Sequence, residues 1–92
     1  MDFSEALSAV KNGHRIRREG WSEDSYVVLQ PGYPDGIEIN ANTAASTGVE
    51  QGTRCVFDPY LMAWNGNAKT FGPWVPTMRD LLVDDWSAAP VR

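Results

Sequence analysis

The chain has 92 residues, 42% hydrophobic and 22% charged, with a formal net charge of −4. That balance describes one globular domain over residues 1–92 with a modest core, and it excludes a disordered chain. The acidic total also excludes a general grip on nucleic-acid polymer, which requires a broad basic face. A small anion is still admissible, because His14, Arg15, Arg17 and Arg18 form a local basic cluster.

Cys55 is the single cysteine, so neither an intrachain disulfide nor a cysteine-based metal site can form. No apolar stretch approaches the roughly 20 residues needed to span a bilayer. The opening residues lack the apolar centre of a secretory signal. These features give a cytosolic expectation with no membrane partner. A chain this small gains by burying further surface against copies of itself, so self-association is expected as well.

Asp2-Phe3-Ser4-Glu5 reads as a capping box, and Phe3, Ala6, Leu7 and Val10 recur at helical spacing. The spacing predicts a helix over 3–12, stopped at Asn12-Gly13. Arg15 to Arg18 reads as a short strand, on which Ile16 and Arg18 share the core side while Arg15 and Arg17 face water. Gly20 and Ser22 bracket Trp21 in a loop. Tyr26 to Gln30 is the clearest strand, ended by Pro31-Gly32. Tyr33 to Gly36 carries turn chemistry, with a short strand at Ile37 and Ile39. The stretch from Asn40 to Thr53 has no hydrophobic period and reads as a long exposed loop.

Val56 to Trp64 resumes strand character despite Pro59, and Asn65-Gly66 signals a hairpin with a return strand over Ala68 to Trp74. Thr77 and Asp80 form a second capping box for a short helix, Met78 to Val83, before a last strand at Asp85-Trp86-Ser87. The expected fold class is α+β: a small antiparallel sheet flanked by an N-terminal helix and a short C-terminal helix.

Catalytic chemistry finds little support. Cys55 and His14 lie far apart in sequence, and Asp84 and Asp85 face opposite ways on a strand. The phosphate loop, zinc helix and calcium loop motifs are all missing, and no cofactor is expected. Binding chemistry fits better. Trp21 follows Arg17, Arg18 and Gly20, so an indole face and a guanidinium can converge on a base and its phosphates. Trp74 is framed by Pro73 and Pro76, just ahead of the free amides of the second helix.

The opening helix, the Gly13…Arg18-x-Gly-Trp21 segment and Pro73-Trp74-x-Pro-Thr…Asp80-Leu81-Leu82-x-x-Asp85-Trp86 together resemble the Thoeris anti-defence family of the second type. The resemblance covers roughly residues 2–30 and 60–87, while 31–58 departs from it. It implies a phage protein in a symmetric homo-oligomer, a tetramer, with ligand pockets between subunits. It implies a sponge that holds cyclic ADP-ribose isomers made by bacterial TIR-domain proteins, without cleaving them. Some members also take up cyclic oligonucleotides of the CBASS pathway at separate sites. By position, Trp21 and Trp74 would stack on base and ribose. Arg18 would meet the pyrophosphate or support the pocket wall, and Ser22, Asp24 and Ser25 would line the loop. Thr77 would cap its helix or touch the ligand. A carbohydrate-binding module, an interaction protein with tryptophan anchors and a small nucleotide enzyme are the competing readings of the same residues.

Overall fold

A computed structural model describes residues 1–91. The chain runs α1 (Phe3–Lys11), β1 (His14–Arg18), β2 (Ser25–Gln30), β3 (Tyr33–Glu38), α2 (Ala41–Thr47), β4 (Arg54–Phe57), β5 (Tyr60–Asn65), β6 (Thr70–Pro73), α3 (Met78–Leu82) and β7 (Trp86–Pro90). Five strands pair antiparallel in the order β6-β5-β2-β1-β7, and β3 pairs with β4 in a separate two-stranded ribbon. The class is α+β, with the N-terminal and short C-terminal helices in their expected places.

Local chemistry explains the helix ends. Asp2 Oδ1 accepts the Glu5 N–H at 2.8 Å, and Glu5 Oε1 accepts the Asp2 N–H at 3.1 Å. Gly13, at φ +89, takes the left-handed turn that separates α1 from β1. The apolar stripe of α1 then meets the sheet: Ala6 and Val10 join Ile16, Val27 and Trp86 in the buried core. Burial of that stripe, more than helix propensity, holds so short a helix in place.

The middle of the chain differs from the sequence reading. Tyr33 to Gly36 belongs to β3 instead of a turn, with the register slipping between Tyr33 and Ile37 around Gly36 at φ +85. The slip accommodates Pro34, which cannot serve a regular ladder. The expected single strand from Val56 to Trp64 is two strands, parted at Asp58-Pro59. The expected loop over Asn40–Thr53 contains α2, capped by Asn40, whose Oδ1 accepts the Thr43 N–H at 3.0 Å. No residue of α2 is buried, so it carries no apolar stripe for a period to reveal; only its caps, Asn40 and Gly48, mark it.

These segments build an arm. The β2–β5 ladder runs from Ser25 opposite Asn65 to Gln30 opposite Tyr60, and the β3–β4 ribbon resumes in step at Tyr33 opposite Phe57. The result measures 45 × 29 × 27 Å with a radius of gyration of 15.6 Å, against about 12 Å for a compact chain of this length.

Gly32 sits at the root of the arm, where a Cβ would run into the Phe57 carbonyl oxygen and the Asp58-Pro59 backbone. Gly32→Ala should therefore cost roughly 1–3 kcal/mol through backbone overpacking. Thermal melting should show a loss of several degrees, and an unchanged midpoint would mean the arm root is pliable.

Candidate functional site

Trp86 opens β7 directly across the ladder from Arg18, on the face covered by α1. Only 3% of it is exposed, and its indole Nε1 donates to the Asp80 carbonyl at 2.8 Å. Three aromatic rings pack edgewise around it: Phe3 at 5.4 Å, Trp21 at 5.5 Å and Trp74 at 5.9 Å between centroids. Edge-to-face contact suits the ring quadrupoles and fixes each plane.

Trp21 and Trp74 are themselves neighbours, 6.4 Å apart at 71°. Both are half-buried, so each gives part of its ring to the core and keeps part in solvent. The chain fixes them from opposite ends of the fold. Gly20, at φ +89, turns β1 outward, and the Trp21 N–H closes on the Arg18 carbonyl at 3.2 Å. The Trp74 N–H donates to the Leu61 carbonyl at 2.8 Å, extending the edge of the sheet. The structure thus brings together the two indoles that the sequence singled out.

Arg18 follows Ile16 on the inner face, as strand alternation requires, and its guanidinium is spent on carboxylates. Nε and Nη2 donate to the two Asp85 oxygens at 2.9 and 3.2 Å, and Nη1 donates to Asp80 Oδ1 at 3.0 Å. These bonds raise the Arg18 pKa further, those to Asp85 most. Hydrogen bonding from Arg18 holds the Asp85 carboxyl below the usual carboxylate range. Burial pushes the Asp80 carboxyl up, but the Thr77 backbone and hydroxyl bonds and Arg18 outweigh it, leaving Asp80 low. Of the two roles implied for Arg18, this geometry fits the brace: it ties β1 to α3 and to the residue before Trp86.

Thr77 is likewise engaged. Its Oγ1 accepts the Asp80 N–H at 3.2 Å, and Asp80 Oδ2 accepts the Thr77 N–H at 2.8 Å. The expected anion seat at the start of α3 already holds a carboxylate from within the helix. Ser22 accepts a long bond from the Asp24 N–H at 3.4 Å, and Ser25 opens β2.

Asp24 faces elsewhere. With Arg15, Arg17, Glu23, Tyr26, Trp64 and Ser87 it lines an open cleft of about 610 Å³ on the other side of the sheet. Arg15 and Arg17 do turn away from Ile16, as expected, yet the side assigned to water carries this cleft. Tyr26 and Trp64 pair across β2 and β5 there, and the sequence reading passed over both. Their signal was present in the alternation of β2, where Tyr26 and Val28 occupy the positions opposite to Val27.

His14 Nδ1 lies 3.2 Å from the Ala9 carbonyl, its ring bonded to the end of α1. Cys55 is half-exposed on β4 opposite Ile37. Among the described residues no three His, Cys, Asp or Glu side chains gather at metal-binding distance, and no helix is long and apolar enough to cross a membrane.

The chain is thus an α+β domain with a braced pair of half-buried indoles. Residues 1–89 match the family described as the Thoeris anti-defense 2-like domain, Tad2-like, and the chain belongs to this family. Its role is thereby one of countering Thoeris defence. No curated protein matches the chain.

The brace carries a pH signature. Asp80 and Asp85 bind fewer protons folded than unfolded, so their stabilisation is present above the unfolded carboxylate pKa, about 3.9, and is lost as pH falls through their depressed folded values. Arg18→Lys keeps the charge but loses the fork. It should melt several degrees below wild type at pH 7, and the gap should narrow below about pH 4 as the carboxyls protonate. A gap that stays constant with pH would show that the ion pairs contribute nothing.

Proposed function

We propose that the protein is a sponge for a cyclic ADP-ribose-type immune signal, glycocyclic ADP-ribose in kind, which it holds without breaking. The observation that carries this reading is the convergence of two half-buried indoles, Trp21 and Trp74, held by a third that is fully enclosed. A platform fixed before the ligand arrives loses little entropy on binding. Base and ribose stack on Trp21 and Trp74, while Ser22, on the loop that carries Trp21, and Ser25, at the start of β2, offer hydroxyl contacts. Arg18 holds the wall.

Stacking alone is insufficient. One stacked base contributes about 1–3 kcal/mol, whereas nanomolar capture requires about 12 kcal/mol. The remainder calls for further groups around the ligand, and a second copy of the chain can supply them. Val75, Met78 and Leu82 are 80%, 70% and 76% exposed, an apolar stripe beginning next to Trp74. Covering it with another subunit would close the indole pair into a pocket, so the protein works as a homo-oligomer, a tetramer by the family resemblance. Capture takes place in the cytoplasm of the infected bacterial cell, where the signal is made. Cyclic oligonucleotides of the CBASS pathway are a further cargo of the same class.

What the side chains are doing supports retention without cleavage. His14 is bonded to the end of α1, and Asp80 and Asp85 are held ionised by Arg18. None is poised to donate or take a proton at a glycosidic or phosphodiester bond. Tight binding that favours no transition state lowers free ligand and accelerates nothing.

Incubation with a cyclic ADP-ribose isomer should remove the free signal, and heat denaturation should return it intact in stoichiometric amount. Linear or hydrolysed product accumulating over many turnovers would establish an enzyme instead. Trp74→Phe should keep the fold and weaken binding about tenfold, and Trp21→Ala should weaken it by up to about a hundredfold, the scale of one lost stack. Calorimetric titration measures both; wild-type affinity in the two variants would move the ligand away from the indoles.

A further inference from the structure

Asn65 ends β5, and a turn over 66–69 leads back to β6 at Thr70, opposite Asn65. The Asn65 side chain shapes that turn: its Oδ1 accepts the Asn67 and Ala68 N–H groups at 3.1 and 3.2 Å. Gly66 is there for space. Its φ is not positive, and the left-handed conformation in this turn falls to Lys69, at φ +57. A Cβ on Gly66 would run into the Asp24 Cβ and stand 2.6 Å from the Asp24 carbonyl oxygen. The Gly66 N–H donates to that same carbonyl at 2.9 Å. Any side chain here would force the two segments apart.

Asp24 belongs to the loop that carries Trp21. Among the described residues, backbone hydrogen bonds anchor this loop to distant chain at two points, one on each side of Trp21. The Glu19 N–H donates to the Asp85 carbonyl at 3.0 Å, and the Asp24 carbonyl accepts from Gly66. The remaining bonds are local: Trp21 N–H to the Arg18 carbonyl at 3.2 Å and Ser25 N–H to the Ser22 carbonyl at 2.9 Å.

The β5–β6 hairpin that makes the second anchor also leads into Trp74, the residue after β6, whose N–H is held by the Leu61 carbonyl of β5. One hairpin therefore touches both halves of the indole pair, Trp74 through its base and Trp21 through its tip. Trp64 and Phe71 stack at 4.5 Å across its two strands, which ties base and tip into one stiff unit.

We propose that Gly66 is a positioning residue for the indole platform: from the hairpin tip it clasps the Trp21 loop and sets the angle and spacing at which Trp21 meets Trp74. It rests on the reading that the two indoles hold the ligand. The clasp adds no contact to the ligand. It removes freedom from a ring that has to be in place before the ligand arrives.

Circular dichroism reads this geometry with no ligand present. Trp21 lies 6.4 Å from Trp74 and 5.5 Å from Trp86, crossed at 71° and 76°, and indoles so placed give an exciton couplet. Gly66→Ala should shrink the couplet towards the level of Trp21→Phe, in which the Trp74–Trp86 pair at 5.9 Å is left. It should also weaken binding of a cyclic ADP-ribose isomer about tenfold, within the range of one lost stack. Two other glycines separate positioning from general damage. Gly72→Ala, in the same hairpin, adds a Cβ that meets nothing within 4 Å and should leave couplet and affinity unchanged. Gly32→Ala should lower the melting temperature and still leave both unchanged. Should Gly66→Ala fail to fold, Asn65→Ala loosens the turn without placing an atom against Asp24. It should reduce couplet and affinity together, and Asn65→Asp, which keeps the accepting oxygen, should behave as wild type. A wild-type couplet in folded Gly66→Ala, or in Asn65→Ala where that variant replaces it, would overturn the proposal. An equal loss of couplet in Gly32→Ala would overturn it too. A wild type that binds no cyclic ADP-ribose, with the couplet still lost in Gly66→Ala, would leave the clasp standing and remove the ligand from the platform.

Discussion

The indole of Trp86 is enclosed on every side by parts of the chain that are distant in sequence. Phe3 comes from the first helix, Trp21 from the first loop and Trp74 from the end of the sheet. The one polar atom of the ring is satisfied by the Asp80 carbonyl, so the group can be buried without an unmet donor. The orientation of both exposed indoles depends on that ring. Arg18 reinforces the arrangement from the neighbouring strand, because its fork fixes the residue before Trp86 and the helix that supplies the carbonyl. Aromatic packing and ion pairing here serve one geometry.

The Arg18 guanidinium, three residues before Trp21, is neutralised in place by two carboxylates. Flat indole surfaces held at fixed angles offer stacking, which is tolerant of which base is presented. On the proposed reading, selectivity between nucleotides would fall to whatever surrounds the platform.

Much of this was legible in the chain. The two capping boxes, Asp2 with Glu5 and Thr77 with Asp80, are short-range chemistry and appear in the structure as read. The alternation that sent Ile16 and Arg18 inward is equally local, and it held. What Arg18 does on arrival was not legible, since Asp85 is 67 positions away and nothing in sequence spacing joins them. The helix α2 was missed because periodicity records burial, and α2 buries nothing. The outer cleft was missed for a related reason. Arg15 and Arg17 face away from the core, and a polar outward position looks the same whether it meets open water or lines a cleft. Tyr26 and Trp64 on that face were the contrary sign.

The ladder that joins β1 to β7 also sets a schedule. Ile16 sits in the middle of a strand whose second neighbour is made from Ser87 and Ala88, and the Met1 carbonyl is bonded to the Trp86 N–H. The first strand therefore has β2 beside it early but lacks its second neighbour, and the first helix lacks the Trp86 ring it packs against, until late in the chain. At a synthesis rate of about 5–20 residues per second, the wait between Arg18 and Trp86 is roughly 3–14 s. Throughout it Ala6, Val10 and Ile16, buried in the finished fold, can meet Val27 but lack the Trp86 side of their cluster. A chain broken off short of Trp86 lacks the ring against which Phe3, Trp21 and Trp74 are all packed.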